Sequence, residues 1–201
     1  MARDDDEPVR RVFEGLSDES RHGRFLGPKP DLTPADLAYL SDIDGHDHEA
    51  LVCVDSGSGQ PLGIARFIRL RDDPEVAEAA VAVVDDAQGR GVGTALMNAL
   101  TERAQEERIR RFRAVLLADN AKSVRVLEQL GSVRRGRVER GVVEMEVDLP
   151  VGRESAAERA RVLRAAASGI VQLGVRLPGG FSLLFGWTFG DPEHVRSQGP
   201  D

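Results

Sequence analysis

A glycine-rich turn lies near the middle of the chain, in the segment Val83-Val84-Asp85-Asp86-Ala87-Gln88-Gly89-Arg90-Gly91-Val92-Gly93-Thr94-Ala95-Leu96. The apolar run before it predicts a central buried strand, Val76–Val84, and the periodicity after it predicts a helix, Val92–Glu107. The backbone N–H groups of such a turn and of the first helical turn have no partner within the chain. The helix dipole adds positive charge there, and glycines allow close approach. The pattern therefore predicts a pyrophosphate-binding turn.

Three kinds of phosphate-binding turn differ in their spacing. A P-loop ends in Gly-Lys-Ser/Thr, which this turn lacks. The dinucleotide fingerprint Gly-x-Gly-x-x-Gly/Ala fails in both registers, because Thr94 and Leu96 stand at its last position. The pyrophosphate loop of acyl-CoA-binding enzymes, Gln/Arg-x-x-Gly-x-Gly/Ala, is matched at every position from Gln88 to Gly93.

In this loop the chain resembles the GNAT superfamily of acyl-CoA N-acyltransferases. Glu78 in the preceding strand and Asn120 at the start of a later helix are similar to family positions. Two further stretches resemble the catalytic domain of the bacterial Pat-type protein lysine acetyltransferases. They are Phe13-x-x-Leu16-Ser17-x-Glu19-Ser20-Arg21-x-x-Arg24-Phe25 and Gly63-Ile64-Ala65-Arg66-Phe67.

The periodicity predicts three helices followed by the order β-β-β-α-β-α-β-β. The early helices are expected at Pro8–Leu16, from Ser17 to Arg24 and from Thr33 to Ser41. The other expected elements are strands Ala50–Asp55, Leu62–Leu70, Val76–Val84, Phe112–Leu117, Ser132–Arg137 and Val142–Asp148, with helices Val92–Glu107 and Ala121–Leu130. The class is α/β (α+β), and the resemblance implies a GNAT fold: a mixed, mostly antiparallel sheet with helices on both faces.

The chain divides into a predicted N-acetyltransferase domain, residues 1–149, and a C-terminal extension, residues 150–201. A capping box at Ser155–Glu158 predicts an amphipathic helix over 155–167, and the alternation in Phe181–Phe189 predicts an aromatic strand. The resemblance implies a strand before the first helix, and here we expect it to be missing or reduced to a stub at Met1–Asp6. We hypothesise that Phe181–Phe189 fills that sheet edge, either in its own subunit or in a neighbouring one. In the second case the extension would hold a homodimer together.

Composition excludes several classes of protein. The 201 residues carry 34 acidic and 27 basic side chains, a net charge of −7, which argues against nucleic-acid binding. The longest apolar run, Ala79–Val84, is too short for a membrane span, and the acidic N-terminus is no secretory signal. The lone Cys53 excludes an internal disulfide and a cysteine-cluster zinc site. A cytoplasmic protein with no metal, membrane or nucleic-acid partner is predicted.

The resemblance implies that acetyl-CoA is the cosubstrate and that a primary amine, preferably a protein lysine, is the acceptor. The strands at 76–84 and 112–117 would separate to hold the pantetheine arm, and N–H groups near Val83 would polarise the thioester carbonyl. Arg90, Lys122 and Arg125 would add positive charge near the phosphates. The residues expected to contact acetyl-CoA are Val83, Val84, Gln88, Gly89, Arg90, Gly91, Val92, Gly93, Thr94, Asn120 and Ser123.

An amine acceptor must lose a proton before it attacks, because a lysine has an ordinary pKa of about 10.4. Glu78 is the candidate base, since Ala80 and Ala82 on its strand face leave space beside it, and we expect it to be buried. A carboxylate at the surface is the alternative for this residue, with Glu75, Asp72 or Asp73 as the base. The resemblance implies direct transfer without a covalent enzyme intermediate, and Cys53 is not expected to be a nucleophile.

The chain departs from the family pattern in one position of chemical interest. Many relatives carry a tyrosine seven residues after the asparagine, as the acid for the leaving thiolate, and here that residue is Leu127. The only tyrosine, Tyr39, lies in an early helix, and Ser123 is a poor substitute. No general acid is identified. A small-molecule amine acetyltransferase and a non-catalytic acyl-CoA-binding module therefore stay open as alternatives.

Other polar groups have simpler interpretations. Arg66 is expected at an exposed strand position, and Asn120 is expected to cap its helix. The motif Asp44-x-His46-x-His48 predicts a solvated loop in preference to a metal site. A set of arginines at a hairpin tip predicts a solvated face, or a contact with an acidic protein: Arg134, Arg135, Arg137 and Arg140.

Overall fold

The computed structural model describes residues 6–150 and the backbone of two further strands at 173–177 and 181–185. Its helices are α1 (Glu7–Glu14), α2 (Asp18–Phe25), α3 (Pro34–Ser41), α4 (Val92–Glu106) and α5 (Ala121–Glu128). Its strands are β1 (His48–Asp55), β2 (Pro61–Arg69), β3 (Val76–Val83), β4 (Arg111–Leu117), β5 (Ser132–Glu139), β6 (Val142–Asp148), β7 (Leu173–Leu177) and β8 (Phe181–Phe185). The order of elements predicted for residues 8–148 is confirmed.

The early helices begin where the sequence predicts. Ser17 caps α2 by accepting a hydrogen bond from the Ser20 N–H at 3.3 Å. Thr33 and Asp36 form a reciprocal capping box at the start of α3, with Pro34 in its first turn. These local contacts satisfy N–H groups that a helix leaves unpaired at its start.

The strands form a mixed sheet in the order β5-β6-β4-β3-β2-β1-β8-β7. All neighbouring pairs are antiparallel except β3 and β4, which run parallel. The parallel pairing covers only three residue pairs, from Val76–Arg111 to Glu78–Arg113. Beyond Glu78 the two strands separate, as the resemblance implied.

The sheet is covered by helices on both faces. Leu51 and Phe67 point to one face and join the core that contains α4. Their neighbours Val52 and Ile64 point to the opposite face and pack in a second core with α1 and α3. Because side chains of a strand alternate, burial on both faces explains why these strands have almost continuous apolar sequences.

The C-terminal strands lie at the β1 edge of the sheet. β8 pairs with β1 in the same chain, antiparallel, with Leu184 opposite Val52. This pairing agrees with the hypothesis that the aromatic segment fills the empty edge. The strand β7, which pairs with β8, is missed by the sequence analysis. The predicted helix at 155–167 and residues 186–189 lie outside the described residues, and the domain boundary and the homodimer stay predictions.

Candidate active site

The turn after β3 has a backbone that glycine favours. Gly89 and Gly91 have φ angles of 72° and 84°, in the left-handed region, and Gly91 is the N-cap of α4. A Cβ atom built on either glycine would meet no other atom within 4 Å. The glycines are therefore required by backbone conformation, and the space above the turn is open to a ligand.

The first turn of α4 offers a row of unpaired donors. Among the described residues, no acceptor takes a hydrogen bond from the backbone N–H of Val92, Gly93 or Thr94. The Ala95 N–H is the next in the helix, and it bonds to the Gly91 carbonyl at 2.9 Å. Since α4 has 15 residues, its dipole adds positive charge at this end. These donors fit a diphosphate.

Gln88 holds the turn against two neighbouring helices. Its side-chain amide donates to Ser20 Oγ of α2 at 3.1 Å and to Asp85 Oδ1 at 3.1 Å, and its Oε1 accepts from Lys122 Nζ of α5 at 3.3 Å. Asp85 Oδ2 in turn accepts from the Ser17 N–H at 3.3 Å. The glutamine that the motif places at the turn is thus a brace between α2, the turn and α5.

The gap between β3 and β4 opens after Glu78 and extends to this turn. The Val84 N–H donates to the Leu62 carbonyl at 2.9 Å, so the sheet already uses it. Because hydrogen bonds on an antiparallel strand alternate between its two edges, the Val83 N–H points the other way, toward β4. The pairing of β3 with β4 has ended there. Of these two valines, only Val83 presents its N–H to the gap.

The start of α5 lies on the other side of the gap. Asn120 caps the helix, as predicted, because its Oδ1 accepts from the Ser123 N–H at 3.0 Å. Its side-chain nitrogen is 3.8 Å from a Cβ placed on Gly23, so it also lies beside α2. Leu127 is buried and Tyr39 is 61% exposed on α3, and neither supplies an acid at the gap.

Glu78 stands where β3 and β4 part. It shares a strand face with Ala80 and Ala82, and these two alanines line a cleft between the sheet and α1–α3. The cleft is open to solvent on one side. Glu78 itself is exposed, so the expected burial is wrong. The physical reason is the divergence of the strands, which opens this position to water.

The largest difference from the sequence-based expectations concerns the exposure of Arg66. It is 6% exposed, although an exposed strand position was expected, because α1 and α3 cover its face of β2. Its Nη1 donates to the Leu40 carbonyl at 3.0 Å and lies 3.4 Å from His48 Nε2. Burial and the nearby charge of Arg24 lower the pKa of Arg66 to about 9, so the guanidinium remains charged at neutral pH.

Arg24, at the end of α2, lines the same cleft. It is half-buried, and its Cζ lies 5.2 Å from the centre of the Phe25 ring. Loss of hydration lowers the pKa of Arg24, and attraction to Glu78 opposes that shift. Within residues 6–150, no carboxylate forms an ion pair with Arg24 or Arg66. The two stretches that resemble Pat-type enzymes thus meet in one cleft, which neither stretch predicts alone.

The remaining candidates have structural partners. Burial raises the pKa of Cys53 to about 11, which disfavours the nucleophilic thiolate. Asp44 Oδ1 accepts from the backbone N–H groups of His46 and His48 at 2.8 and 2.9 Å, so it orders its loop. Arg134 pairs with Asp148 at 2.6 Å on the β5–β6 hairpin.

In the part of the chain that the structure describes, no group of three or more His, Cys, Asp or Glu side chains is placed to hold a metal ion. No helix there combines the length and the apolar character that crossing a membrane requires.

A sheet that opens between two parallel strands, with a glycine turn and a helix N-terminus at the opening, is the arrangement that the resemblance to acyl-CoA-dependent acyltransferases implies. Residues 12–131 match the sequence model of the Acetyltransferase (GNAT) family. The chain belongs to this family.

Individual relatives agree with this assignment. Over 145 residues the chain is 37% identical to "Acetyltransferase Pat" of Mycolicibacterium smegmatis, an overlap of 71% of this chain and 43% of that protein. The chain thus matches less than half the length of this curated relative. The GNAT domain of S. lividans PAT superposes with a TM-score of 0.67 and 33% identity, covering 74% of this chain and 88% of that domain.

A more distant structure shows the same fold. The putative acetyltransferase yncA from Salmonella typhimurium, solved with its cofactor acetyl-CoA, gives a TM-score of 0.56 at 20% identity. The alignment covers 74% of this chain and 92% of that one. The predicted fold, the resemblance to Pat-type catalytic domains and the class of enzyme, an acyl-CoA-dependent N-acyltransferase, are confirmed.

Proposed function

We propose that the protein transfers an acetyl group from acetyl-CoA to a primary amine, and that this amine is the side chain of a protein lysine. One observation carries the proposal: Glu78 lies where β3 and β4 separate, on the strand that leads directly into the glycine turn. A carboxylate at the opening of the sheet and a diphosphate cradle at the end of the same strand suit a base and a bound acyl donor.

The backbone of the turn supports binding of acetyl-CoA. The unpaired N–H groups of Val92, Gly93 and Thr94 would hold the diphosphate, and the open space above Gly89 and Gly91 would admit it. Lys122, which contacts Gln88, adds a positive charge at the edge of this cradle. We assign the same binding role to Arg90, Asn120 and Ser123. When bound, acetyl-CoA supplies the thioester carbonyl that the amine attacks.

The gap between the strands supports the transfer step. The N–H of Val83 faces the gap and can donate to an oxygen that gains negative charge during the transfer. Glu78 accepts the proton that the ammonium group must lose, directly or through water, since it is exposed at the mouth of the gap. The described residues offer no tyrosine at the gap to protonate the leaving thiolate, which can leave as the anion.

The choice of a protein lysine rests on similarity in two places. The stretches around Arg24 and Arg66 resemble Pat-type protein lysine acetyltransferases, and the relative named "Acetyltransferase Pat" is 37% identical over 145 residues. The cleft that these stretches line is open to solvent, which suits a lysine presented on the surface of another protein.

Replacing Glu78 by glutamine tests this proposal. We expect kcat for a lysine-containing protein to fall by about 10²–10⁴, because general-base catalysis contributes that much. Acetyl-CoA affinity, measured by calorimetry, should stay within about twofold, because the diphosphate cradle is built from other residues.

A matched control is Glu75→Gln, which removes an exposed carboxylate of the adjoining turn that pairs with Arg110 at 3.1 Å. This variant should retain turnover. The proposal is wrong if Glu78→Gln keeps its kcat, or if Glu75→Gln loses as much, since Glu75 would then be the base. Absence of turnover with lysine proteins, together with turnover of a free amine, would replace the protein acceptor by a small molecule.

A further inference from the structure

We infer that Arg24 and Arg66 form a carboxylate-binding subsite beside Glu78, which selects acceptors that carry a negative charge near the amine. This inference rests on the proposed function, because it specifies the acceptor of the same site. The carboxylate has two chemical sources: an acidic side chain next to the target lysine, or the α-carboxylate of a free amino acid.

The strand register places the subsite next to the candidate base. Arg66 lies directly opposite Ala80 on β3, and Glu78 is the next residue along β3 on the same face. Such diagonal neighbours on one sheet face have Cα atoms about 7–8 Å apart. Arg24 approaches from α2, and its charge interacts with both Arg66 and Glu78. An amine at Glu78 and a carboxylate at the arginines therefore fit one short acceptor.

Within residues 6–150, neither arginine of the cleft forms an ion pair with a carboxylate. Arg66 is 94% buried, yet its partners are the neutral Leu40 carbonyl and His48. In contrast, the buried Arg103 bonds to Glu49 Oε2 at 2.9 Å. A buried guanidinium without a carboxylate is costly. Five N–H donors belong to each guanidinium, so Arg66 keeps donors for a ligand.

The surroundings strengthen binding of an anion. Val9, Phe13 and Phe25 line the cleft with apolar surface, which lowers the local dielectric and so strengthens attraction between opposite charges. Two neighbouring guanidiniums also repel each other, and a carboxylate between them would relieve that repulsion. An acceptor with a neutral group in this place would leave both charges uncompensated.

Paired acceptors test the inference. One pair is a lysine peptide with glutamate beside the lysine and the same peptide with glutamine there. The other pair is Nα-acetyl-lysine and its carboxamide. We expect kcat/KM to favour the charged member of at least one pair by about tenfold to a hundredfold, as for hydrogen bonds between charged groups. Preference within the first pair identifies an acidic side chain as the source, and preference within the second identifies the α-carboxylate.

The variant Arg24→Gln should remove this preference. It should lower kcat/KM for the charged acceptor about tenfold or more beyond any change for the neutral acceptor, so that the ratio of the two falls to near one. Arg24 is half-buried, so the substitution is compatible with folding, which thermal unfolding checks. The matched control is Arg10→Gln on α1, where an exposed arginine pairs with Asp6 at 2.9 Å, and it should keep the preference. Equal losses for both acceptors would mean a structural role and overturn the inference.

A second measurement separates this inference from the proposed function. In arginine-labelled protein, glutarate should shift the side-chain N–H resonances of Arg66 and Arg24 in a saturable way, and glutaramide should not. If no amine is acetylated but glutarate binds, the proposed function fails and the subsite stands. If lysine is acetylated with no preference in either pair, or if glutarate shifts nothing, the subsite does not exist.

Discussion

The glycine turn after β3 and the cleft between the sheet and α1–α3 both adjoin β3, yet they are built from different parts of the chain. The turn presents backbone N–H groups from one continuous segment, Val92–Thr94. The cleft presents side chains from separate elements, with Arg24 on α2 and Arg66 on β2, and Glu78 is the next residue of β3 on the same sheet face as Ala80, which lines the cleft.

This difference determines how each site can vary. A backbone site depends on φ and ψ angles and on glycine, so its ligand stays the same while surface side chains change. A side-chain site changes its ligand when one residue is exchanged. We therefore expect the binding of acetyl-CoA to be sensitive to backbone strain, and the choice of acceptor to be sensitive to charge.

The variant Gly91→Val should have the largest effect on the turn. Its φ of 84° is unfavourable for a β-branched residue, so the backbone must rearrange at a cost of about 1–3 kcal/mol. We expect the Kd for acetyl-CoA, measured by calorimetry, to rise about a hundredfold, because the donors of α4 lose their alignment.

Arg90→Ala is the matched control for this variant. It removes an exposed side chain from the same turn and leaves the backbone conformation allowed. We expect the Kd to rise tenfold or less. A larger loss for Arg90→Ala than for Gly91→Val would mean that side-chain charge holds the cosubstrate, and the contrast between the two sites would disappear.

The hydrogen bonds of Gln88 test whether the glycine turn and the cleft depend on each other structurally. In Gln88→Ala, the bonds to Ser20 on α2 and to Lys122 on α5 are lost. Since α2 also carries Arg24, we expect KM to rise about threefold to tenfold for both acetyl-CoA and the acceptor.

The matched control is Gln129→Ala. Gln129 Oε1 accepts a hydrogen bond from Thr94 Oγ1 of α4 at 3.4 Å. Gln129 follows the last residue of α5, whereas α2 lies beside the start of that helix. This variant should change KM for acetyl-CoA only slightly and leave KM for the acceptor unchanged. If Gln88→Ala raises the KM for acetyl-CoA alone, α2 keeps its position without the hydrogen bonds of Gln88, and the two sites are independent.

The sequence predicts the turn and the fold around it for a physical reason. Hydrophobic periodicity, helix caps such as Ser17 and Thr33, and the glycine spacing are local signals, and each acts over a few residues. The separation of β3 from β4 follows from the family resemblance. The strand β7 is not among the predicted strands, although Leu173, Val175 and Leu177 alternate with Gly174 and Arg176, which is a local signal of a strand.

The arrangement of residues in and beside the cleft cannot be predicted from such local signals. Whether Arg66 is buried depends on α1 and α3 covering one face of β2, and whether Glu78 is exposed depends on where β4 leaves β3. Neither is encoded near the residue concerned. The two arginines are visible in the Pat-like stretches, but only the packing of α2 on the sheet shows that they share a cleft.

The smallest expected effect concerns His48. Its Nε2 lies 3.4 Å from Nη1 of Arg66, and Arg66 lines the cleft. Burial lowers the pKa of His48 from the ordinary value of about 6.5, with the charge of Arg66 acting in the same direction and Asp42 and Asp44 opposing it. Above pH 6.5 the imidazole is neutral in the folded and the unfolded chain. As the pH falls below 6.5 the unfolded chain takes up the proton first, so the fold loses stability until the lower folded pKa is reached.

Thermal unfolding between pH 7.5 and 5.5 measures this contribution. The Tm of the native protein should fall by about 2–4 °C more than that of His48→Gln, which keeps a hydrogen-bonding side chain beside Arg66 but cannot titrate. His22→Gln, at an exposed position of α2, should follow the native protein. Parallel curves for the native protein and His48→Gln would show that an imidazolium is tolerated beside Arg66. The cleft would then already screen the charge of Arg66, and the choice of acceptor would depend less on charge than the comparison with the backbone turn predicts.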